Sequence, residues 1–174
     1  FPTALRFSAF NVVSIATTTG YANTDYNLWP IFAPLWMLFL SSFATCSGST
    51  GGGIKMVRAI VLYKQVFREV MRAIHPSAVH PTKLGSEIVE NKIIFAVLAF
   101  GFMYMVSIVS MTLAMTGSGL DIVTAFSAVV ACINNTGPGL NQVGPATNFA
   151  VLTDFQTWVC SFAMLLGRLE IFTL

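Results

Sequence analysis

The stretch Ala9-Phe10-Asn11-Val12-Val13-Ser14-Ile15-Ala16-Thr17-Thr18-Thr19-Gly20 is apolar over a short run and ends in threonines and a glycine. A helix rises about 1.5 Å per residue, so the apolar run over residues 5–18 cannot cross a hydrocarbon core of about 30 Å. It must enter and leave on one side. The stretch Ala125-Phe126-Ser127-Ala128-Val129-Val130-Ala131-Cys132-Ile133-Asn134-Asn135-Thr136-Gly137 has the same build: laying Val12-Val13 over Val129-Val130 also lays Thr19-Gly20 over Thr136-Gly137. Between the paired Phe and the paired Gly the two copies differ in length by one residue. Each is followed by a Trp-bearing apolar segment, so both read as one repeated unit of span, re-entrant helix, loop and span. Repetition of this kind is frequent in transport proteins. Re-entrant backbone at membrane depth is tolerated where protein buries it or where it lines water.

Composition fits that reading. Hydrophobic residues make up 55% and charged residues 9% of the 174-residue chain, whereas a soluble domain carries about a quarter charged. Residues 26–54, 93–120 and 122–153 hold no Asp, Glu, Lys or Arg. The chain opens on Phe1 without a basic region, short apolar core and cleavage site, which reads as a piece of a longer membrane protein rather than a secreted chain. Cys46, Cys132 and Cys160 lie in apolar surroundings without metal-ligand spacing and read as reduced packing residues.

The basic residues set an expected orientation. Lys55, Arg58, Lys64, Arg68, Arg72, Lys83 and Lys92 share one connecting region, leaving Arg6 and Arg168 elsewhere. By the positive-inside tendency the 55–92 region is cytoplasmic. The connections carrying Asp25, Asp121 and Asp154 then face outward, and the net charge of +2 reports topology rather than affinity for nucleic acid.

Along the chain, residues 28–46 are expected to cross inward, with Trp29 and Pro30 at the start. Ser47-Gly48-Ser49-Thr50-Gly51-Gly52-Gly53 should break that helix, since each Gly costs roughly 1 kcal/mol relative to Ala. Residues 54–74 regain an amphipathic helical pattern, ended by His75-Pro76. Residues 75–86 read as a linker, with Ser86 as the cap of the next helix, and 93–116 as a span back outward. Residues 122–135 are the second short run, and a last helix starts near Phe155.

Loops of this composition suit a dehydrated cation. Backbone carbonyls can replace a hydration shell without a fixed charge in the path, and Gly permits the dihedrals that point neighbouring carbonyls one way. Ala16-Thr17-Thr18-Thr19-Gly20-Tyr21 and Ile133-Asn134-Asn135-Thr136-Gly137-Pro138 both supply this, at the negative end of a short helix. Two such loops do not close a ring, so a further pair is expected outside this chain.

The runs Phe10 to Tyr21, Cys46 to Lys55, Asn134-Asn135-Thr136-Gly137-Pro138-Gly139 and Leu166-Gly167-Arg168 together resemble the Trk/Ktr/HKT potassium transporter superfamily, over essentially the whole chain. The resemblance implies an all-α integral membrane protein with a potassium-channel-like pore made of four span–pore helix–span repeats. By it, residues 1–74 hold the third repeat from its pore helix onward, 75–86 the cytoplasmic linker, and 87–174 most of the fourth repeat. It further implies that Thr18, Thr19, Gly20, Asn135, Thr136 and Gly137 are filter residues contacting potassium, and that Ser47, Gly48, Ser49, Thr50, Gly51, Gly52 and Gly53 form an intramembrane gate. Arg168 matches an arginine on the last pore-lining helix. A charge at that depth is costly and functional by default, so it is expected to face the cavity and bond to the Ser47 to Gly53 loop. Implied partners are potassium ions, the lipid bilayer of a bacterial inner membrane, a second copy in a homodimer, and a cytosolic nucleotide-binding regulator of TrkA type that could meet the basic helix from Lys55 to Arg72. No cofactor is implied.

The same residues admit other readings. Ser47 to Gly53 could serve close helix packing, and Arg168 could pair with a carboxylate or reach the interface. Gly48 to Lys55 is not a phosphate-binding loop, because Ile54 separates Gly53 from Lys55 and Met56 follows. Asn134-Asn135-Thr136 fits a glycosylation sequon, yet a narrow filter has no room for a glycan. His75 and His80 lack companion ligands, and no nucleophile with a base or paired carboxylates suggests an enzyme. The rival function is an alternating-access solute or sodium carrier, or a non-conducting membrane subunit.

Overall fold

The computed structural model describes residues 1–43, 52–75, 81–85 and 87–169. The first helix, α1 (Pro2–Ala16), opens on Pro2, whose missing N–H is needed by no helical partner there. After it the chain turns through residues 17–25, and Asp25 accepts a hydrogen bond from Asn27 N to start a single 3-10 turn, Tyr26–Leu28. Helix α2 (Phe32–Phe43) follows Pro30, with Ala33 N donating to Pro30 O at 2.8 Å. It begins four residues after the expected 28–46 crossing, and residues 44–51, with the end of that expected segment, lie outside the described ones.

Helix α3 (Met56–Ile74) is strongly amphipathic, as its interleaved basic and apolar residues require. Its Val61 is buried against Ile94 and Val97 of the helix that follows. Two short antiparallel strands, β1 (Lys83–Leu84) and β2 (Glu87–Ile88), pair Lys83 with Ile88 and Leu84 with Glu87. This hairpin departs from the all-helical expectation and replaces the end of the expected linker. Gly85, with φ +64°, supplies the left-handed residue such a tight turn needs. The expected cap at Ser86 falls outside the described residues, and the next helix, α4 (Asn91–Gly117), has Glu90 at its N-cap position instead.

Among the described residues α4, with 27 residues, is the one helix long and apolar enough to cross a membrane. Helix α5 (Ile122–Ile133) starts where the Asp121 carboxylate accepts from Val123 N and Thr124 N, at 3.2 and 3.3 Å. Helix α6 (Asp154–Leu169) starts on a reciprocal cap: Thr153 N donates to Gln156 Oε1 at 2.9 Å and Gln156 N to Thr153 Oγ1 at 3.5 Å. Gln156 Nε2 also reaches Ser118 Oγ at 2.8 Å, tying the start of α6 to the end of α4.

The main core forms around α5, whose Ala125, Ala128, Val129 and Ile133 pack with Leu38 of α2, Met111 and Met115 of α4, and Cys160 and Ala163 of α6. Small residues on α5 let these helices approach closely. The fold is thus predominantly helical and built around a short central helix that ends inside the molecule.

Candidate functional site

Helices α1 and α5 end in loops with one hydrogen-bond plan. After α1, Thr17 N donates to Val13 O at 2.9 Å, Thr18 N to Ile15 O at 3.1 Å, and Thr19 N to Ser14 O at 2.8 Å. After α5, Asn134 N donates to Val130 O at 3.0 Å, Asn135 N to Cys132 O at 3.0 Å, and Thr136 N to Ala131 O at 2.9 Å. Thr18 and Asn135 both take left-handed backbone, φ +55° and +52°, as do Gly20 and Gly137, at +81° and +106°. Left-handed backbone costs a residue with a Cβ roughly 1–2 kcal/mol, and both loops bear that cost at the same step.

This plan turns the loop amides back toward their helices. The carbonyl oxygens are left over: among the described residues no hydrogen bond reaches those of Thr18, Thr19, Gly20, Asn135, Thr136 or Gly137. Thr136 Oγ1 is buried without a hydrogen-bond partner among the described residues. Buried polar atoms are ordinarily satisfied, so this hydroxyl stands out, whereas Thr19 and Gly137 are exposed. The helix C-termini add partial negative charge there.

The two loops meet. A Cβ on Gly20 would overlap the Thr136 carbonyl oxygen and lie 3.3 Å from Pro138 Cδ. Two more glycines press on the same segment: a Cβ on Gly52 would overlap the Asn134 carbonyl, and one on Gly167 of α6 the Ile133 carbonyl. Three chain segments therefore collar the end of α5 at contact distances that admit no side chain.

Polar side chains hold this arrangement. Asn11, fully buried on α1, donates through Nδ2 to Phe7 O at 2.9 Å, Asn23 Oδ1 at 2.7 Å and Thr24 Oγ1 at 3.0 Å. Ser127, its counterpart on α5, accepts from Leu140 N at 2.9 Å. Each fixes the chain beyond its loop to the helix before it. Asn134, also fully buried, donates to Ser41 Oγ and Ser42 Oγ of α2 at 3.2 and 3.0 Å and accepts from Tyr104 of α4 at 2.8 Å. Asn135 Nδ2 reaches Met164 O of α6 at 3.4 Å. Beyond the loops, Asn141 N donates to Asn27 Oδ1 at 3.2 Å, so the outer connections also touch.

The residues singled out from the sequence fall as follows. Gly20 lies against Thr136 and Pro138, which brings the loop holding Thr18 and Thr19 to the loop holding Asn135 and Gly137 at that point. Gly52 and Gly53 lie against Asn134, and Ile54 N donates to Ser42 O at 2.8 Å. Ser47, Gly48, Ser49, Thr50 and Gly51 lie outside the described residues, as does Cys46. Arg168 occupies the last turn of α6, next to Gly167, and its side chain is exposed in this chain. Cys132 and Cys160 are free, buried thiols. No His, Cys, Asp or Glu group able to hold a metal ion occurs among the described residues.

Sequence reading missed Asn11, Ser41, Ser42, Tyr104 and the working role of Asn134. A signal existed for Asn134: an amide in a charge-free apolar run must find partners or bear a desolvation penalty. Its partners lie on α2 and α4, far away along the chain, and no local pattern names them.

The sequence matches the TrkH family model, described as a cation transport protein, over residues 2–174. It is 44% identical over 173 residues to the Trk system potassium uptake protein TrkH of Salmonella typhimurium, covering 99% of this chain and 35% of that protein. The corresponding Escherichia coli K12 protein is 45% identical over 166 residues, covering 95% of this chain and 34% of its own length. The fold superposes on the crystal structure of the potassium transporter TrkH from Vibrio parahaemolyticus with a TM-score of 0.86 at 43% identity, over 94% of this chain and 35% of that one. The chain thus spans about a third of the length of the relatives it matches.

Proposed function

Because the chain belongs to the TrkH family of cation transport proteins, we propose that it forms part of a potassium uptake pore in which loop carbonyls stand in for water around the ion. The observation that carries this reading is the set of uncommitted oxygens on Thr18, Thr19, Gly20, Asn135, Thr136 and Gly137. A carbonyl already bonded to an amide has less to offer a cation. Oxygens whose amides are tied back into α1 and α5 are held in position before the ion arrives, and such preorganisation lowers the cost of replacing its hydration shell.

In this reading α1 with α2 belongs to the third of four span–pore helix–span repeats, and α4, α5 and α6 to the fourth. The shared hydrogen-bond plan of the two loops supports that division, as does the contact of Gly20 with Thr136. The remaining filter quarters come from elsewhere in the full-length protein. Ser47 to Gly53 forms the gate below the filter, supported by the close approach of Gly52 and Gly53 to Asn134. Arg168, one turn below the Asn135–Met164 contact, adds a positive barrier near that gate. The protein sits in a bacterial inner membrane with residues 55–92 cytoplasmic and the filter loops facing the periplasm. It pairs with a second copy and with a cytosolic nucleotide-binding regulator.

Potassium-limited growth of an uptake-deficient bacterium tests this. Full-length protein carrying Gly137→Asp should insert normally and fail to support growth. Growth at the wild-type rate with normal insertion would remove the filter assignment.

A further inference from the structure

A cavity of about 300 Å³ lies between α3 and the β1–β2 hairpin, lined by Tyr63, Lys64, Phe67, Arg68, Met71 and Lys83 among others. Among the described residues the lining brings together three cations and no carboxylate. Lys64 Nζ donates to Lys83 O at 2.7 Å, and Arg68 donates to Asn91 Oδ1 at 3.2 Å and Gln65 Oε1 at 3.5 Å. The nearby Glu69 carboxylate accepts from Gln65 Nε2 at 2.8 Å. These bonds hold the cationic heads in place through neutral partners. Beside them an apolar stripe of α3 is open to the surroundings, with Tyr63 74% and Phe67 59% exposed.

The depth of this cavity follows from α4. Its 27 residues extend about 40 Å at 1.5 Å per residue, against a hydrocarbon core of about 30 Å. Its first turn, at Asn91, therefore reaches the headgroup layer. The Arg68–Asn91 bond fixes the cavity at that level. An amphipathic helix with basic residues beside an exposed apolar stripe lies in the interfacial plane.

We propose that this cavity binds the headgroup of an anionic phospholipid of the cytoplasmic leaflet. The phosphate is held by Lys64, Arg68 and Lys83, and the upper acyl chains run along Tyr63, Phe67 and Met71. Charge supplies the preference for anionic over zwitterionic lipid, and the aromatic wall supplies the preference for a lipid over a free anion. Nothing in this site touches the ion path, so it stands apart from the filter.

The test uses full-length protein in detergent, titrated with phosphatidylglycerol, phosphatidylcholine or inorganic phosphate and read by native mass spectrometry. Phosphatidylglycerol should bind about tenfold or more tightly than phosphatidylcholine, and millimolar phosphate should not displace it. Each cation removed should weaken phosphatidylglycerol binding about fivefold, so Lys64→Gln, Arg68→Gln and Lys83→Gln together should abolish the preference. Lys64→Arg with Lys83→Arg should retain it. Should the triple variant fail to fold, Lys83→Gln alone, on the exposed hairpin, still predicts the fivefold loss. Equal binding of the two lipids, displacement by phosphate, or an unchanged Lys83→Gln protein would each overturn the proposal. So would a triple variant that keeps its lipid preference but no longer holds a cytosolic regulatory protein, because the surface would then belong to that partner.

Discussion

The loop after α1 and the loop after α5 share their backbone step for step, yet they are held by different means. Helix α5 buries nearly every residue, from Thr124 and Ala125 through Ala131, Cys132 and Ile133, whereas α1 buries only Asn11, Ser14 and Ile15. The α5 loop is fixed from outside, by Asn134 to α2 and α4 and by Asn135 to α6. The α1 loop is fixed mostly from within, Thr17 Oγ1 meeting Val13 O at 2.7 Å and Thr19 Oγ1 at 2.9 Å. Loop shape is therefore a local property of a short helix ending in a left-handed residue and a glycine, and rigidity comes from the neighbours.

The glycines test that contrast most sharply. Gly20→Ala combines a left-handed backbone, costing roughly 1–2 kcal/mol, with overlap on the Thr136 carbonyl, where overpacking adds typically 1–3 kcal/mol. Uptake in the growth assay should be lost. Gly167→Ala should be comparably damaging through Ile133, without any backbone strain. A Cβ on Gly137 would meet nothing within 4 Å among the described residues, so Gly137→Ala should cost only the backbone term of roughly 1–2 kcal/mol. If it proves as severe as Gly20→Ala in full-length protein, another filter quarter presses on Gly137 as Thr136 presses on Gly20.

The buried amides give a smaller effect. Asn134→Leu removes the acceptor of the Tyr104 hydroxyl, while Ser41 and Ser42 still donate to Leu38 O, and a stranded buried group costs about 1–3 kcal/mol. Thermal unfolding of the purified full-length protein should show a lower midpoint, and Tyr104→Phe added to Asn134→Leu should restore part of it. Asn11→Leu frees only the segment at Asn23 and Thr24. It should destabilise less, and an equal loss would mean that α1 is as enclosed as α5.

The smallest effect is at alkaline pH. Tyr26 is buried beside Asp25, and burial first, then that charge, raises its phenol well above the ordinary value of about 10. Its folded form therefore favours the proton. The contribution is complete below pH 10 and is lost as pH rises toward the raised value. Tyr26→Phe should flatten the alkaline fall in stability while leaving neutral pH nearly unchanged, and an identical fall in both proteins would place the titration elsewhere.

Much of this was legible in the chain. The short apolar runs, the paired Thr-Gly endings and the charge-free stretches announce helices and loops because each is a local pattern. The β1–β2 hairpin went unread, because Pro76 and Pro81 mark residues 75–86 as a linker and two-residue strands leave almost no periodic pattern. What sequence hides is the meeting of distant parts. Gly20 against Thr136, Gly52 against Asn134 and Gly167 against Ile133 are contacts between separate segments, and each glycine on its own reads as a turn or a packing residue.

The glycine collar also bears on biogenesis. Its members come from the loop after α1, the approach to α3, and α6, so the end of α5 cannot take its final surroundings until α6 has been inserted. Contacts between remote positions are slow to form. Assembly of the two loops should therefore be a cooperative event, reached only when α6 arrives.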